Sequence, residues 1–579
     1  MPVLQFKGKT AIENFCYTVP HHTLKFDPQL SVLQKGEKPG LDGNLIIEGD
    51  NLLALKALLP THAGQVKCIY IDPPYNTGNE GWVYNDNLTQ PQFKEWIGQT
   101  VGKEGEDASR HDKWCCMMYP RLQLLKELLR DDGAIFVSIG ENEIAHLRMI
   151  MDEIFLADTP LATFVWKRRS PSGMREDPVS VDHEYVLMYA KDRARVRLEG
   201  LLADESKYPL EDKHGKYAST DLTVGMTSED RENQFYPIFN PRTLVEYPPN
   251  PDRVWRFEPD TMKEVIADKL VIWPDEVEGN MTRPRFKTYF DPQNPKMKPV
   301  STWIESASRK KAEIATEVED FESEILTTGM NQEGGRILQR IFGKKVFDYP
   351  KPPSLVRALI RIATGKDDMV LDSFAGSGTT GQAVLELNHE DKGNRKFVLV
   401  QLQHDTKEQE HSGFNVCREI TAERVRRVIR GYRYTRGKGS KQKAEIVPGL
   451  NGAFSYAALG MKLFGEYRDM GEQLPSFQEL AKYIFYTETS REFDQAKVNE
   501  KTGKIGERKG TSYYLLYSQD ASDGRPLDME WLRSLDGMEK NRQVVVYCEK
   551  LWLHREDMAN FEAETGNRVR PMLIPFNLK

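Results

Sequence analysis

Read for hydrophobic periodicity, the first third of the chain alternates short β-rich runs with stretches of helical spacing. Leu45-Ile46-Ile47-Glu48-Gly49-Asp50 precedes a helical pattern over Asn51 to Leu59. The β-rich run Val66 to Ile71 (VKCIYI) stops at Asp72 and two prolines, since proline cannot continue a central strand. Apolar spacing predicts a helix over Trp114 to Leu129, closed by Asp131-Asp132-Gly133. A buried strand Ala134 to Ile139 and a helix Glu143 to Phe155 follow. Phe164 to Lys167 and His183 to Ala190 read as a hairpin at a sheet edge, joined by a Gly- and Ser-containing connection. Strands alternating with helices at this spacing predict an α/β fold, a mostly parallel sheet covered on both faces.

From about Arg193 to Lys345 the pattern breaks. Prolines crowd Tyr236 to Arg253, charges scatter without a helical period, and only Glu305 to Leu326 reads as a charged helix. The alternation then returns with a helix Ser354 to Ala363, a strand Met369 to Asp372, a glycine turn, a helix Thr379 to Leu387 and a strand Phe397 to Leu402. After Gly431 come further β-rich runs, such as Tyr513 to Ser518 and Gln543 to Tyr547. No internal repeat stands out. The expected organisation is an N-terminal arm (1–40), an α/β core in two parts (41–192 and 346–430), an inserted domain (193–345) and a C-terminal α+β domain (431–579).

Composition changes this picture little. A chain of 579 residues with 39% hydrophobic and 29% charged residues is an ordinary multidomain globular protein. No apolar run approaches the roughly 20 residues that cross a bilayer, and the start lacks a signal-peptide pattern. The six cysteines (Cys16, Cys68, Cys115, Cys116, Cys417, Cys548) form no CxxC pair. Reduced thiols, a cytoplasmic setting and no metal site are therefore expected. A net charge of −7 excludes a protein basic all over but leaves room for a local basic groove that holds nucleic acid.

Two segments carry chemistry. In VKCIYIDPPYNTG, a carboxylate, two prolines and a tyrosine sit just past the carboxyl end of a strand, where open α/β sheets bind ligands. Asp72 and the carbonyl of Pro73 can accept hydrogen bonds from an amino group, while Pro73 and Pro74 have no N–H to compete. Tyr75 offers a face for a base. Acceptors on a planar amino group favour a pyramidal nitrogen and stabilise the positive charge that grows as it attacks. A bare DPP triplet would merely end a strand. The second segment, MVLDSFAGSGTTG over 369–381, places Gly376 and Gly378 in a tight strand-to-helix turn whose helix directs free N–H groups back at it. Such a turn suits a nucleoside cofactor, a dinucleotide or a phosphate, although GxGxxG spacing and a P-loop lysine are both missing.

Together DPPYNTG and FAGSGTT resemble the amino-methylating DNA methyltransferases. The catalytic motif precedes the cofactor motif, which is the β-group order of that family. LIIEGDNLLALKAL, VWKRRS and VDHEYVLMYAK make the chain similar to the Mod (modification) subunits of type III restriction–modification systems. The resemblance covers roughly residues 40–430 and implies a circularly permuted, doubly wound Rossmann-like sheet with an inserted target-recognition domain. It implies S-adenosylmethionine as cofactor and the exocyclic N6 of adenine in double-stranded DNA as target, reached by base flipping. Asp72, Pro73, Pro74 and Tyr75 would be catalytic. Asp50, Lys351, Pro352, Asp372, Phe374, Ala375, Gly376, Gly378 and Thr379 would bind the cofactor. Gln401 stands where many relatives have an acidic residue for the ribose. A homodimer and a helicase-nuclease (Res) partner are also implied. A standalone methyltransferase, action on cytosine N4 or RNA, and a noncatalytic DNA-recognition subunit stay open.

Three smaller signals admit two readings each. Trp166-Lys167-Arg168-Arg169 and the run Arg424, Arg426, Arg427, Arg430, Arg433, Arg436 to Lys443 suit either phosphate contact or a solvated face. His183 beside Glu184 suits a structural histidine better than a general base.

Overall fold

A computed structural model describes residues 3–77, 107–170, 179–198, 205, 208–250, 252–277, 281–292, 299–306, 326–436, 443–463, 475–489, 491, 493–518, 525–535 and 542–574. Most of the expected 305–326 helix, the connection over 171–178 and the basic run beyond Arg436 lie outside the described residues. The chain divides into two compact units, residues 198–327 and the remainder. Residues 328–345, assigned to the insertion on composition, belong to the larger unit, as do the N-terminal arm and the C-terminal region.

Among the described residues, the main sheet of the larger unit includes β1 (His22–Phe26), β2 (Leu45–Glu48), β3 (Val66–Ile71), β4 (Leu129–Ile139), β5 (Pro160–Lys167), β6 (His183–Ala190), β7 (Met369–Asp372), β8 (Lys396–Gln401) and β9 (Ser455–Lys462). They lie in the order β1-β9-β2-β8-β7-β3-β4-β6-β5. The six from β9 to β4 are parallel, β1 and β6 run antiparallel to them, and β5 pairs antiparallel with β6 and so runs with the six. β5 and β6 form the expected hairpin, with Trp166 opposite Glu184, but β5 is not the outermost strand of the sheet, so the hairpin does not lie at its edge. The helices are α1 (Asn51–His62), α2 (Asp107–Leu128), α3 (Ile144–Phe155), α4 (Pro353–Ala363), α5 (Thr379–Asp391) and α6 (Glu423–Arg430).

All six residues of β3 are buried, because helices cover both faces of the sheet. Ile69 and Ile71 join Leu55, Leu59, Met118, Leu122, Ile135 and Val137 in the core that α1, α2 and α3 close. On the other face, α4 and α5 pack together against β3 and β8. Each such aliphatic side chain contributes roughly 1.5–3 kcal/mol on burial. Lys67 alone is charged in β3, and its ammonium is spent on Asp132 at 2.9 Å (carbonyl) and 3.0 Å (carboxylate).

One boundary differs from expectation. Asp131-Asp132-Gly133 does not close α2; it lies inside β4, at an irregularity where Val66 pairs Leu129 but Cys68 pairs Ala134. Arg130 ties the stretch down through Asp132 and Asp368, and a Cβ on Gly133 would come within 2.8 Å of the Lys67 carbonyl. A bulge in a strand uses the same residue types as a turn.

Residues 475–574 add a four-stranded sheet in the order Lys504–Arg508, Thr511–Leu516, Gln543–Cys548, Arg568–Leu573. Its helix Phe477–Thr489 packs on α1, and Tyr486 donates to Glu127. The smaller unit, 198–327, holds a four-stranded antiparallel sheet built on Gly215–Asp221 and Arg285–Tyr289, and a helix Pro259–Ala267. Its core gathers Leu222, Ile238, Trp255, Met262, Val265, Val271 and Trp273. All six cysteines are free and buried. No helix among the described residues is long and apolar enough to cross a membrane.

Candidate active site

β3 and β7 are parallel neighbours, with Leu371 opposite Ile69, so the two motifs meet at one edge of the sheet. Asp72 is the first residue past β3, and Asp372 ends β7. Asp72 is half-buried, but its Oδ1 is closed to solvent and has no aligned hydrogen-bond donor among the described residues. The Lys351 ammonium forms an ion pair with that oxygen at 2.9 Å. The same ammonium donates to the Tyr75 hydroxyl (2.8 Å), lies 3.2 Å from Glu184 Oε2 and sits 4.6 Å from the Tyr75 ring centroid. Tyr75 in turn donates to Glu184 Oε2 at 3.0 Å, and Arg168 reaches Glu184 Oε1 at 3.3 Å.

Asp72, Tyr75, Glu184, Lys351 and Arg168 thus form one knot in which two carboxylates face two cations. Such balance is what allows charges to remain in a dry site. Burial pushes the Asp72 carboxyl above its ordinary value, against the pull of Lys351. Burial opposes the charge on Lys351 as well, but Asp72 and Glu184 outweigh it and hold the lysine above its usual value. Burial, then Asp72 and Glu184, keep the Tyr75 phenol protonated.

The glycine turn is held from three sides. Gly376 (φ 51°) donates to Gln401 Oε1 at 2.7 Å, and its carbonyl accepts from Thr421 Oγ1 at 2.6 Å. Gly378 (φ 79°) caps α5, where a Cβ would stand 2.9 Å from the Thr421 carbonyl. Arg424, wholly buried in α6, grips Ser377 Oγ and Thr379 Oγ1, both at 2.7 Å. Thr379 Oγ1 also donates to the Lys351 carbonyl at 3.3 Å, tying the Pro350-Lys351-Pro352 segment to this turn. Phe374 N–H and Thr380 Oγ1 donate to the two oxygens of Asp372, whose carboxyl burial pushes up to about 7. Phe374 and Ala375 are buried, and Ser373 Oγ, also buried, has no partner among the described residues.

Two other expected residues lie nearby but are engaged. Asp50 caps α1 through Leu52 N–H (2.8 Å) and pairs with buried Arg121 at 3.3 Å. Gln401 spends its carboxamide on Gly376 and on Asp405 Oδ1 (2.6 Å), a carboxyl that burial pushes up to about 6.

Pattern reasoning missed Glu184. It occupies a buried register position of β6 with Val186 and Met188, and a carboxylate on the apolar phase of a strand was the available signal. His183 turns the other way and reaches Tyr185 OH at 2.9 Å, the structural reading of that histidine. Trp166 is core, donating to Thr328 Oγ1 at 3.0 Å, while Arg168 and Arg169 pair with Glu184 and Asp182. In the arginine run, Arg424 clamps the glycine turn, Arg426 reaches the Leu30 carbonyl and Arg427 the Ile341 carbonyl. These three serve the fold, and Arg430, Arg433 and Arg436 are exposed.

Beside the knot, Trp114 donates to the Pro74 carbonyl at 2.7 Å. Asn76 turns into a cluster of His111, Glu143 and His146, the group of mixed ligand-type side chains found among the described residues.

The family model for DNA methylases (N6_N4_Mtase) matches residues 66–411, from β3 through both motifs. The chain belongs to the DNA methylase family. The StyLTI Mod subunit, a type III restriction-modification protein of Salmonella typhimurium, is 34% identical over 401 residues, covering 66% of this chain and 57% of that protein. The EcoPI Mod subunit of Escherichia phage P1 is 31% identical over 449 residues, covering 70% of this chain and 65% of that protein. The type II methyltransferase M.KpnI of Klebsiella pneumoniae is 32% identical over 386 residues, covering 65% and 85%. This DNA methylase therefore spans under two thirds of the length of the Mod subunits it matches. The likeness to DNA methyltransferases read from the two motifs, and to Mod proteins read from LIIEGDNLLALKAL, VWKRRS and VDHEYVLMYAK, is borne out.

Proposed function

We propose that this DNA methylase transfers a methyl group from S-adenosylmethionine to the N6 of an adenine at a specific site in duplex DNA, as the modification subunit of a type III restriction–modification system. The observation that carries the reading is the Asp72 carboxylate, whose Oδ1 is closed to solvent and paired with the Lys351 ammonium at 2.9 Å, beside the Tyr75 ring. An adenine amino group takes the ammonium's place as donor to that oxygen when the base enters. Asp72 and the Pro73 carbonyl take the two amino hydrogens, which pulls the nitrogen lone pair out of conjugation. Tyr75 stacks on the base once Lys351 swings off its ring, a motion the flexible four-carbon stem permits. Glu184 holds the Tyr75 hydroxyl and receives the ammonium. Holding reactants in this way is worth roughly 7–11 kcal/mol of barrier when alignment is good.

The residues fit the cofactor. The Phe374–Thr379 turn brings the N-terminus of α5 to the sheet edge, with the amides of Phe374, Ala375, Gly376 and Gly378 spent within the protein, and the lone Ser373 hydroxyl and the Asp372 carboxyl lie in the same loop. Phe374, Ala375, Gly376, Gly378 and Thr379 would wrap its amino-acid part, with Lys351 and Pro352 closing that end and Asp50 and Gln401 beside the nucleoside. When bound, S-adenosylmethionine supplies an electrophilic methyl group on a sulfonium sulfur. The adenine reaches this site by leaving the helix stack, at a cost of a few kcal/mol. In chain order β3 precedes β7, which we read as the permuted β-group arrangement. The unit 198–327 is assigned target recognition. A homodimer acting in the cytoplasm with a helicase-nuclease partner completes the proposal.

The test is incubation with labelled S-adenosylmethionine and mixed-sequence duplex DNA, followed by nucleoside mass spectrometry. N6-methyladenine from the wild type and none from a folded Asp72→Ala variant is the expected result. N4-methylcytosine instead would move the substrate, and full activity in Asp72→Ala would defeat the mechanism.

A further inference from the structure

The residue that follows the Asp72–Tyr75 tetrad is held in an unusual way. Asn76 has φ 57°, in the left-handed region, which asparagine enters more readily than most other side chains. Only 4% of it is exposed. Its amide donates to Glu143 Oε1 and to the Arg110 carbonyl (3.3 Å), and its own carbonyl accepts from Asn142 Nδ2 (3.4 Å).

Glu143 is wholly buried between β4 and α3. His111 Nδ1 of α2 donates to its Oε1 at 2.7 Å and His146 Nδ1 of α3 to its Oε2 at 2.8 Å; the two rings stand 4.9 Å apart. Three elements thus converge on one carboxylate, and what it grips is the residue next to Tyr75. A carboxylate is an acceptor only, and three N–H groups engage both of its oxygens. Two imidazoles and a carboxylate are also a ligand set for zinc. An ion, however, would sit about 2.0–2.2 Å from each donor atom and between them. The N–O spacings here are those of N–H···O bonds across the same gap.

We propose that Glu143 is a positioning residue for methyl transfer. Through Asn76 it keeps the tetrad in its strained entry to the following segment, and His111 and His146 fix the orientation of its carboxylate. Trp114 on the Pro74 carbonyl provides the second anchor, so the loop is pinned on both sides of Tyr75. Strain of this kind persists where the surroundings over-determine it, and here the surroundings are Glu143 and Asn142. The inference rests on the methyl-transfer reading above.

A double-mutant cycle on the full chain tests it, with Asn76→Ala, Glu143→Ala and the pair assayed for kcat, cofactor affinity and thermal midpoint. A loose tetrad should lower kcat by roughly 10- to 100-fold in each single variant, with cofactor affinity kept. The double variant should be no slower than the worse single, because both act on one link. Glu143→Gln, which keeps an oxygen for Asn76, should recover part of the rate and covers the case in which Glu143→Ala does not fold. Multiplicative losses, or losses that follow the folded fraction and cofactor affinity alike, would overturn the proposal. So would stoichiometric zinc retained through a chelator-free purification and lost in His111→Ala. A wild type that methylates no nucleoside overturns the methyl-transfer reading itself. An active wild type with an unaffected Glu143→Ala overturns the positioning role alone.

Discussion

At the scale of single residues, Asp372 carries the clearest pH signature. Burial is the main cause of its rise to about 7, so the folded protein keeps a proton that the unfolded chain has released from about pH 4 upward. For a carboxyl raised on folding, the stabilising share is complete below the unfolded value and is lost as pH climbs through the folded one. That share is up to about 4 kcal/mol by linkage. Asp405, raised to about 6 by burial, acts with the same sign. Without ligand, the melting temperature of the wild type should therefore fall between pH 5 and 8, and Asp372→Asn should flatten part of the fall. Parallel curves for the two proteins would show that Asp372 is not the group responsible. Neither pKa is visible in the sequence, because burial is a property of neighbours. Asp72 and Tyr75 were legible, since two prolines behind an apolar strand leave few other uses for a carboxylate and an aromatic. Glu184 and Glu143 were not, because each acts through a partner far away in the chain.

At the scale of elements, the β7–α5 turn shows how one motif can hold two glycines for different reasons. At Gly376 a Cβ meets the Phe347 ring at an ordinary 3.4 Å, so alanine there costs mainly the left-handed backbone, about 1–2 kcal/mol. At Gly378 the same backbone penalty joins a 2.9 Å approach to the Thr421 carbonyl, which belongs to the chain leading into α6 and cannot rotate away. Gly378→Ala should thus lower the melting temperature more than Gly376→Ala and weaken cofactor binding further, as thermal melts and cofactor titration would read. Equal effects would mean that α6 yields. The central strands were legible as elements, since strands buried on both faces are apolar throughout. The start of β4 was misread, because Asp-Asp-Gly serves a turn and a bulge equally well. The arginines of α6 were legible as a cluster but not as clamps, since a basic residue looks the same whether it meets phosphate or a buried carbonyl.

At the scale of the whole molecule, we propose that the two units divide catalysis from recognition. The strand and helix elements of the larger unit bring residues 72, 184, 351 and 372 together, while 198–327 folds around its own core of Leu222, Trp255 and Trp273. A unit with its own core can be exchanged without emptying its neighbour's. Replacing 198–327 with the matching segment of a relative of different specificity should therefore change the methylated sequence and leave the N6-methyladenine product in place. Methylome sequencing would read this, and an unchanged site would place recognition elsewhere. By itself, the sequence determined the α/β class, the interruption of the core, the order of the two motifs and the residues at their centres. Those features rest on local rules, namely the two-residue and 3.6-residue periods, proline's fixed backbone and glycine's freedom. Tertiary structure alone decided that Lys351 and Glu184 close on Tyr75, that Arg424 serves the glycine turn and that Asn76 hangs from Glu143. Those contacts join residues distant in the chain, and no local pattern records which buried group will meet which.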